Sequence, residues 1–428
     1  MHDLICPSPT RPWARPFLRP SRRHGAVFLL LGFLLFLSGC AGVTGDARSG
    51  EALASSPPGS VAAVTSTSPD THYWMYVGSE SADKLHRLRF GPDGFVEENA
   101  VVVGRLPTEV EGPHGVAVAP DGEHVFLTTG HGVPDGHFWK FAVGPDTVVG
   151  EPVPLGEFPA TTDLTPDGMY GLVVNFNLYG DMVPSTMSIV YTPGMVEVDR
   201  IELCTMPHGV RMHPDGRHAH TVCMMDDQLV EVDTRSFSVS RRFSLVSGSE
   251  GALPADPHHD PEGDHGDHHD HHQHGGHEDP SCSPTWAQAS ADGSSVFVAC
   301  NAADRILEID VERWELVRSL DTGRGPYNLE VTSDGRLLVV TLKQGDAVEF
   351  LDLATGESLG RTPTSTTVVH GVVISPDDRY AFVTVEGVGA EPGKVDAFDL
   401  ATLERVASVE VGQQASGIAF LRMANPGS

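Results

Sequence analysis

The stretch Gly115-Val-Ala-Val-Ala-Pro-Asp-Gly-Glu-His-Val-Phe-Leu-Thr128 decides the fold. Val116 and Val118 alternate with small residues, Pro120-Asp121-Gly122 has the composition of a tight turn, and Val125 to Leu127 resume in residues that favour extended backbone. That is a hairpin, and it recurs. The turn aspartates fall at Asp121, Asp167, Asp215, Asp292, Asp334 and Asp377, with spacings of 46, 48, 77, 42 and 43 residues, so a single repeat carries an insertion. After each hairpin a third strand ends in an acidic-hydrophobic phrase, as in Val230-Glu-Val-Asp233, Leu307-Glu-Ile-Asp310, Val348-Glu-Phe-Leu-Asp352 and Val395-Asp-Ala-Phe-Asp399, and a turn and a fourth strand follow. Four antiparallel strands at this period are the blades of a propeller. Tyr73 to Gly104 supplies only a second, third and fourth strand, and Ser416 to Leu421 only a first. Joined, they complete a seventh blade and leave no open sheet edge. The expected fold class is all-β, a seven-bladed β-propeller over residues 73–422 closed by strands from both ends of the chain.

Composition agrees. The chain has 428 residues, 46 Gly, 32 Pro and 40% hydrophobic residues, which suits short, frequently turned segments around a sizeable core and disfavours long helices. A formal net charge of −30 repels phosphate backbones and suits cationic partners, so no nucleic-acid partner is expected.

The N-terminal 39 residues have the order of an export signal. Arg11, Arg15, Arg19, Arg22 and Arg23 precede an apolar run from Ala26 to Leu37, and Leu37-Ser-Gly-Cys40 closes it. This ending resembles a bacterial lipobox, which implies cleavage before Cys40, lipidation of its thiol and a membrane contact through that anchor. An uncleaved membrane anchor is the alternative, but the run is short for a span. Ser21-Arg22-Arg23 hints at a twin-arginine signal, and the export route stays open. Ala41 after the cysteine resembles an outer-membrane lipoprotein if the cell has two membranes. Loss of residues 1–39 removes five Arg and one Asp and takes the charge from −30 to −34. Residues 40–72, rich in Gly, Ala, Ser, Thr and Pro, read as a flexible tether.

Tyr76-Val-Gly-Ser79, Val298-Ala-Cys-Asn301 and Phe382-Val-Thr-Val385, each beside a turn of the Pro-Asp-Gly type, resemble the YVTN-type seven-bladed β-propellers. The resemblance covers roughly residues 73 to 422 and implies the fold. Its functional content is broad, because similar propellers serve as lactonases, surface proteins and the heads of copper enzymes such as nitrous oxide reductase and of haem enzymes.

Two histidine sets point to metal. Within the insertion at 247–283, Pro257 to Pro280 holds nine of the 22 histidines in 24 residues: His258, His259, His265, His268, His269, His271, His272, His274 and His277. Imidazoles interleaved with carboxylates offer donors for Zn²⁺, Ni²⁺ or Cu²⁺ with low geometric demand. The bland alternative is a solvated acidic loop. The second set is His114, His208 and His370, which share one repeat position at the start of an inner strand, where the other blades carry Ala160, Thr285, Tyr327 and Ser416. These three would form a zinc or copper centre at the channel mouth, or else hydrogen bonds between blades. Strand phase favours the second reading. Val116, Val210 and Val372, two residues on, mark the packing side, and the opposite phase (Ala117, Asp163, Arg211, Gln288 and Glu330) is the expected channel lining.

Four cysteines remain in the mature chain. Cys204 and Cys223, and one blade later Cys282 and Cys300, sit at matching positions beside one hairpin end, and export permits two disulfides. The alternative is a copper site of Cys204, Met206, His208, Cys223, Met224 and Met225. Hydrolysis of a small ester by Asp163, Glu330 and Arg211 is a further reading, although no nucleophile elbow or His-Glu-x-x-His run is present and no catalytic residue is assigned. The reading that joins these features is an envelope-anchored propeller that captures divalent transition metal, zinc ahead of copper or nickel. A non-catalytic scaffold for another envelope protein is the alternative, and a lactonase-like or copper-dependent enzyme the second.

Overall fold

The computed structural model describes residues 69–106, 108–131, 136–251 and 280–425. The leader, Cys40, most of the tether and the nine clustered histidines lie outside the described residues.

Seven antiparallel sheets of four or five strands follow one another along the chain. The inner strands are Pro113–Val118, Pro159–Leu164, Pro207–Met212, Pro284–Ala289, Pro326–Val331, Val369–Ile374 and Ala415–Ala424, for blades one to seven. Five begin with proline, which lacks a ladder donor and is tolerated at a strand's first residue. Closure joins the chain ends: His72–Ser79 pairs antiparallel with Ala415–Ala424, placing Tyr76 opposite Ala419 and Val77 opposite Ile418.

Each repeat turn is held by its aspartate. The Asp121 carboxylate accepts the Glu123 N–H at 2.8 Å, and Asp215, Asp292 and Asp334 do the same two residues on. This side-chain mimic of a turn leaves the following residue in the left-handed region, where Gly122, Gly168, Gly216, Gly293 and Gly335 have φ of 68–73°.

The wedges between blades are the core. Tyr73, Met75 and Phe90 of blade seven pack on Tyr380 and Phe382 of blade six, and Val210, Ala219 and Val230 of blade three pack on Leu172, Val174 and Ile189 of blade two. Burying each such side chain stabilises the fold by about 1.5–3 kcal/mol relative to exposure. Trp314 plugs one wedge, with its indole N–H donated to the Arg242 carbonyl at 3.0 Å and the Arg241 guanidinium over its ring.

Both disulfides are present, Cys204–Cys223 and Cys282–Cys300. The first differs from a bond within one hairpin. Cys204 belongs to Val196–Thr205, the outer strand of blade two, and Cys223 ends His218–Cys223 of blade three, so the bond staples neighbouring blades. With both thiols consumed, the copper site built on Cys204 and Cys223 has no thiolate.

Candidate functional site

The dipeptide His-Gly recurs at the head of three inner strands, as His114-Gly115, His208-Gly209 and His370-Gly371. Ladder register shifts at each of these places, between Pro113 and Val116, between His208 and Arg211 and between Val369 and Val372. Such an irregularity resets the alternation of faces. Hence His114 and His370 line the channel together with Asp163, Arg211 and Glu330 further along it. Unbroken alternation would put the histidines on the packing side, and the shift is why both sets face inward.

The glycines make the close approach. A Cβ on Gly115 would lie 2.6 Å from the Ala160 carbonyl oxygen, and one on Gly209 2.5 Å from that of Thr285. Those same oxygens accept hydrogen bonds from the histidines: His114 Nδ1 donates to Ala160 at 2.9 Å and His208 Nδ1 to Thr285 at 2.7 Å. His370 Nδ1 faces the Ser416 carbonyl without closing a bond of ordinary geometry. The inter-blade hydrogen bonds are therefore real, and they use Nδ1. Each committed Nδ1–H leaves Nε2 as a lone-pair donor aimed at the channel, the arrangement that orients metal-ligating imidazoles. Burial holds His114 below the usual histidine range, His208 down to about 3, and His370 well below. The rings are neutral at physiological pH.

Glu80 completes the site. It sits in the 3₁₀ turn Glu80–Ala82 after the second strand of blade seven and is 3% exposed. One carboxylate oxygen, Oε2, accepts from His131 Nε2 at 2.9 Å and from Gln414 Nε2 at 3.0 Å. The other, Oε1, faces His114 Nε2 at 3.7 Å. Ligand atoms of Glu80, His114 and His370 all lie within 4.8 Å of one another. Among the described residues no Lys or Arg is ion-paired with Glu80. The nearby Lys343 ammonium is paired at 2.8 Å with Glu386. With His114 Nδ1–H donated to Ala160, its Nε2 lone pair faces Glu80 Oε1, and a cation between the two could be held by both. The donor set of two imidazoles and a carboxylate fits zinc. The surrounding cavity, about 270 Å³, is walled by aromatic rings that include Phe158, Phe176 and Tyr327.

Sequence reading missed Glu80, His131, Lys343 and Glu386. A signal existed: Glu80, Phe176, Met224, Lys343 and Glu386 each directly follow the last residue of a second strand, and all line this cavity. Met206 packs instead with Phe158, Ala160, Phe176 and Met224.

Beyond the histidines the channel holds a second chamber of about 250 Å³ lined by Asp163, Arg211, Asn328 and Glu330. Its charged groups are engaged with one another. Arg211 donates to Gln288 at 2.6 Å, Asn328 at 3.0 Å and Glu330 at 3.2 Å and lies over the Trp286 ring. Asp163 accepts the Leu164 and Met212 N–H groups. Burial raises both carboxyls above the usual range.

The class defined by these features is a seven-bladed β-propeller whose channel is lined by histidines and carboxylates. No protein-family model matches the chain, and no curated protein matches it. Solved structures do match in fold. Hydrazine synthase of Kuenenia stuttgartiensis is 18% identical with a TM-score of 0.55, over 74% of this chain and 91% of that one. The periplasmic gluconolactonase of Pseudomonas aeruginosa is 19% identical with a TM-score of 0.56, over 83% and 100%. A putative 6-phosphogluconolactonase of Bacteroides uniformis is 13% identical with a TM-score of 0.59, over 82% and 99%. These likenesses establish the propeller architecture of lactonase-like structures and nothing finer.

Proposed function

We propose that this chain binds a divalent transition metal at the channel mouth through His114, His370 and Glu80, with zinc ahead of copper or nickel, and serves in metal capture at the cell envelope. The observation that carries the reading is the meeting of two buried imidazoles, one of them oriented by the Ala160 carbonyl, and a buried carboxylate, with ligand atoms within 4.8 Å, beside a cavity of small-ion size. With the cysteines oxidised, the donors are nitrogen and oxygen, which supports zinc over Cu(I). The His-rich run from His258 to His277 acts as a second, looser binder. Export and lipidation at Cys40 rest on Leu37-Ser-Gly-Cys40, and the two disulfides accord with an oxidising compartment.

The test is a competition titration with a chromophoric chelator on the wild type and on H114Q, H370Q and E80Q. Each substitution should weaken the tightest zinc by about tenfold or more. Unaltered tight binding in all three would refute the centre. Attachment is checked separately: acyl groups on the Cys40 peptide by mass spectrometry, absent in C40A.

A second reading, ester hydrolysis in the lower chamber, is favoured by the raised Asp163 and Glu330 carboxyls and by the gluconolactonase names of two neighbours. It requires lactone turnover that is lost in E330Q and retained in H114Q.

A further inference from the structure

Three imidazoles reach the channel mouth, but only His114 and His370 stand with Glu80 in one 4.8 Å cluster. His208 stays outside it, although its ring centroid is 6.3 Å from that of His114 and its Nδ1 is held by the same kind of carbonyl bond. Tyr327 makes the difference. It occupies in blade five the repeat position that histidine occupies in blades one, three and six. Its hydroxyl lies 3.3 Å from His208 Nε2 and 3.2 Å from His370 Nε2. His208 Nε2 carries a lone pair because its Nδ1–H is donated to Thr285, a metal-binding His370 Nε2 must offer one too, and a phenol has one proton to give, so it satisfies one imidazole at a time. On the ring face, the Lys343 ammonium sits 4.2 Å from the centroid, tied to Glu386, and holds the ring where it is.

A cation taken by His114, His370 and Glu80 consumes the His370 lone pair, and the Tyr327 proton then belongs to His208 alone. We infer that Tyr327 sets the ligand count of the centre: by donating to His208 Nε2 it keeps that imidazole out of the coordination shell and preserves a three-ligand site with an open position. The inference rests on the metal-binding reading above. Its consequence is exchange. Four protein ligands close a zinc site, whereas three leave a place where water, a small anion or an incoming ligand group binds. Tyr327 is thus a positioning residue that makes the centre open.

The experiment is a double-mutant cycle on the full chain, wild type, Y327F, H208Q and Y327F/H208Q, in which the component lost in H114Q defines the centre. Zinc affinity is read by chelator competition and the ligand set by the visible spectrum of the Co²⁺ form. Expected results are zinc binding tightened about tenfold in Y327F and an H208Q effect under about threefold in the wild type but about tenfold or more in Y327F. The Co²⁺ bands should shift in Y327F alone, as the His208 nitrogen takes the position left open to water in the wild type. An equal H208Q penalty in both backgrounds means His208 is already a ligand and overturns the inference. So does equal affinity of Y327F and wild type, or a tyrosinate band that grows in the wild type as metal is added. Should Y327F melt below the working temperature, wild-type and H208Q Co²⁺ spectra decide alone: identity is expected, and a difference overturns. A wild type with no component lost in H114Q removes the metal reading itself, an outcome distinct from all of these.

Discussion

His208 shows how burial converts a repeat position into chemistry. Its ring is 3% exposed, and its pKa falls to about 3 because burial penalises the imidazolium. The unfolded chain takes up the proton first, near the ordinary histidine value, so this contribution is full above about pH 6.5 and is lost as pH falls toward 3. Each pH unit in that window costs about 1.4 kcal/mol from one such group. His114 and His370 shift in the same direction. Thermal melts should therefore show stability dropping between pH 6.5 and 5, with a shallower slope in H208Q, and equal slopes would contradict the burial argument. Because burial holds the folded-state pKa values of His114 and His370 down, protons compete with metal at the channel site only below the ordinary histidine range, so zinc binding there should persist to lower pH than at exposed imidazoles. The three histidines were legible in the sequence because the repeat aligns them. Glu80 was not, since it lies in the partial blade at the N-terminal end, and nothing in Ser79-Glu80-Ser81 marks a carboxylate as buried. His131 was missed for a related reason: blade one has Gly130 at the lining position, and the imidazole arrives one residue late.

At the scale of the strand, two features meet at the His-Gly step. The ladder register shifts there, as it does at Thr285-Trp286 and Tyr327-Asn328 where no glycine stands, and the glycine removes the Cβ that would strike the neighbouring blade. The repeat and the hairpins were readable from alternation and turn aspartates. Phase placed Ala117, Asp163, Arg211 and Glu330 on the channel, where they are found, but not the histidines beside them, because alternation carries across a strand only while the register is unbroken. Gly115→Ala places a Cβ 2.6 Å from the carbonyl that His114 uses, so the inner strands must separate. The expected cost is about 1–3 kcal/mol of stability, with metal affinity falling as His114 loses its anchor. Gly360, in the outer strand Ser358–Pro363, is the control, because a Cβ there meets nothing within 4 Å. G360A should stay within about 0.5 kcal/mol of wild type in denaturant melts. A G115A protein as stable and as metal-competent as G360A would show that the close approach does not matter.

Over the whole molecule, the ring is held shut by the shared blade of the chain ends and by the staple between blades two and three. Closing a loop of this length is worth about 3 kcal/mol in chain entropy, so C204S/C223S should lower the melting temperature while leaving the fold intact. The longest departure from the repeat is the insertion of blade three, and its ends bear on the final test. Ser249–Glu250 still pairs with Ser238–Ser244, and at the far end the Ser281 and Ser283 N–H groups bond to the Asp227 carboxylate. Both anchors belong to the propeller, so excising Pro257 to Pro280 leaves them in place and removes nine imidazoles while sparing His114, His370 and Glu80. If the insertion and the channel are separate binders, zinc titration of the deletion should lose most of the stoichiometry and keep the tightest component, with the melting temperature in the presence of chelator unchanged. Unchanged stoichiometry would show that the insertion binds nothing. Loss of the tight component together with the loose one would place all the metal in the insertion and leave the propeller without any.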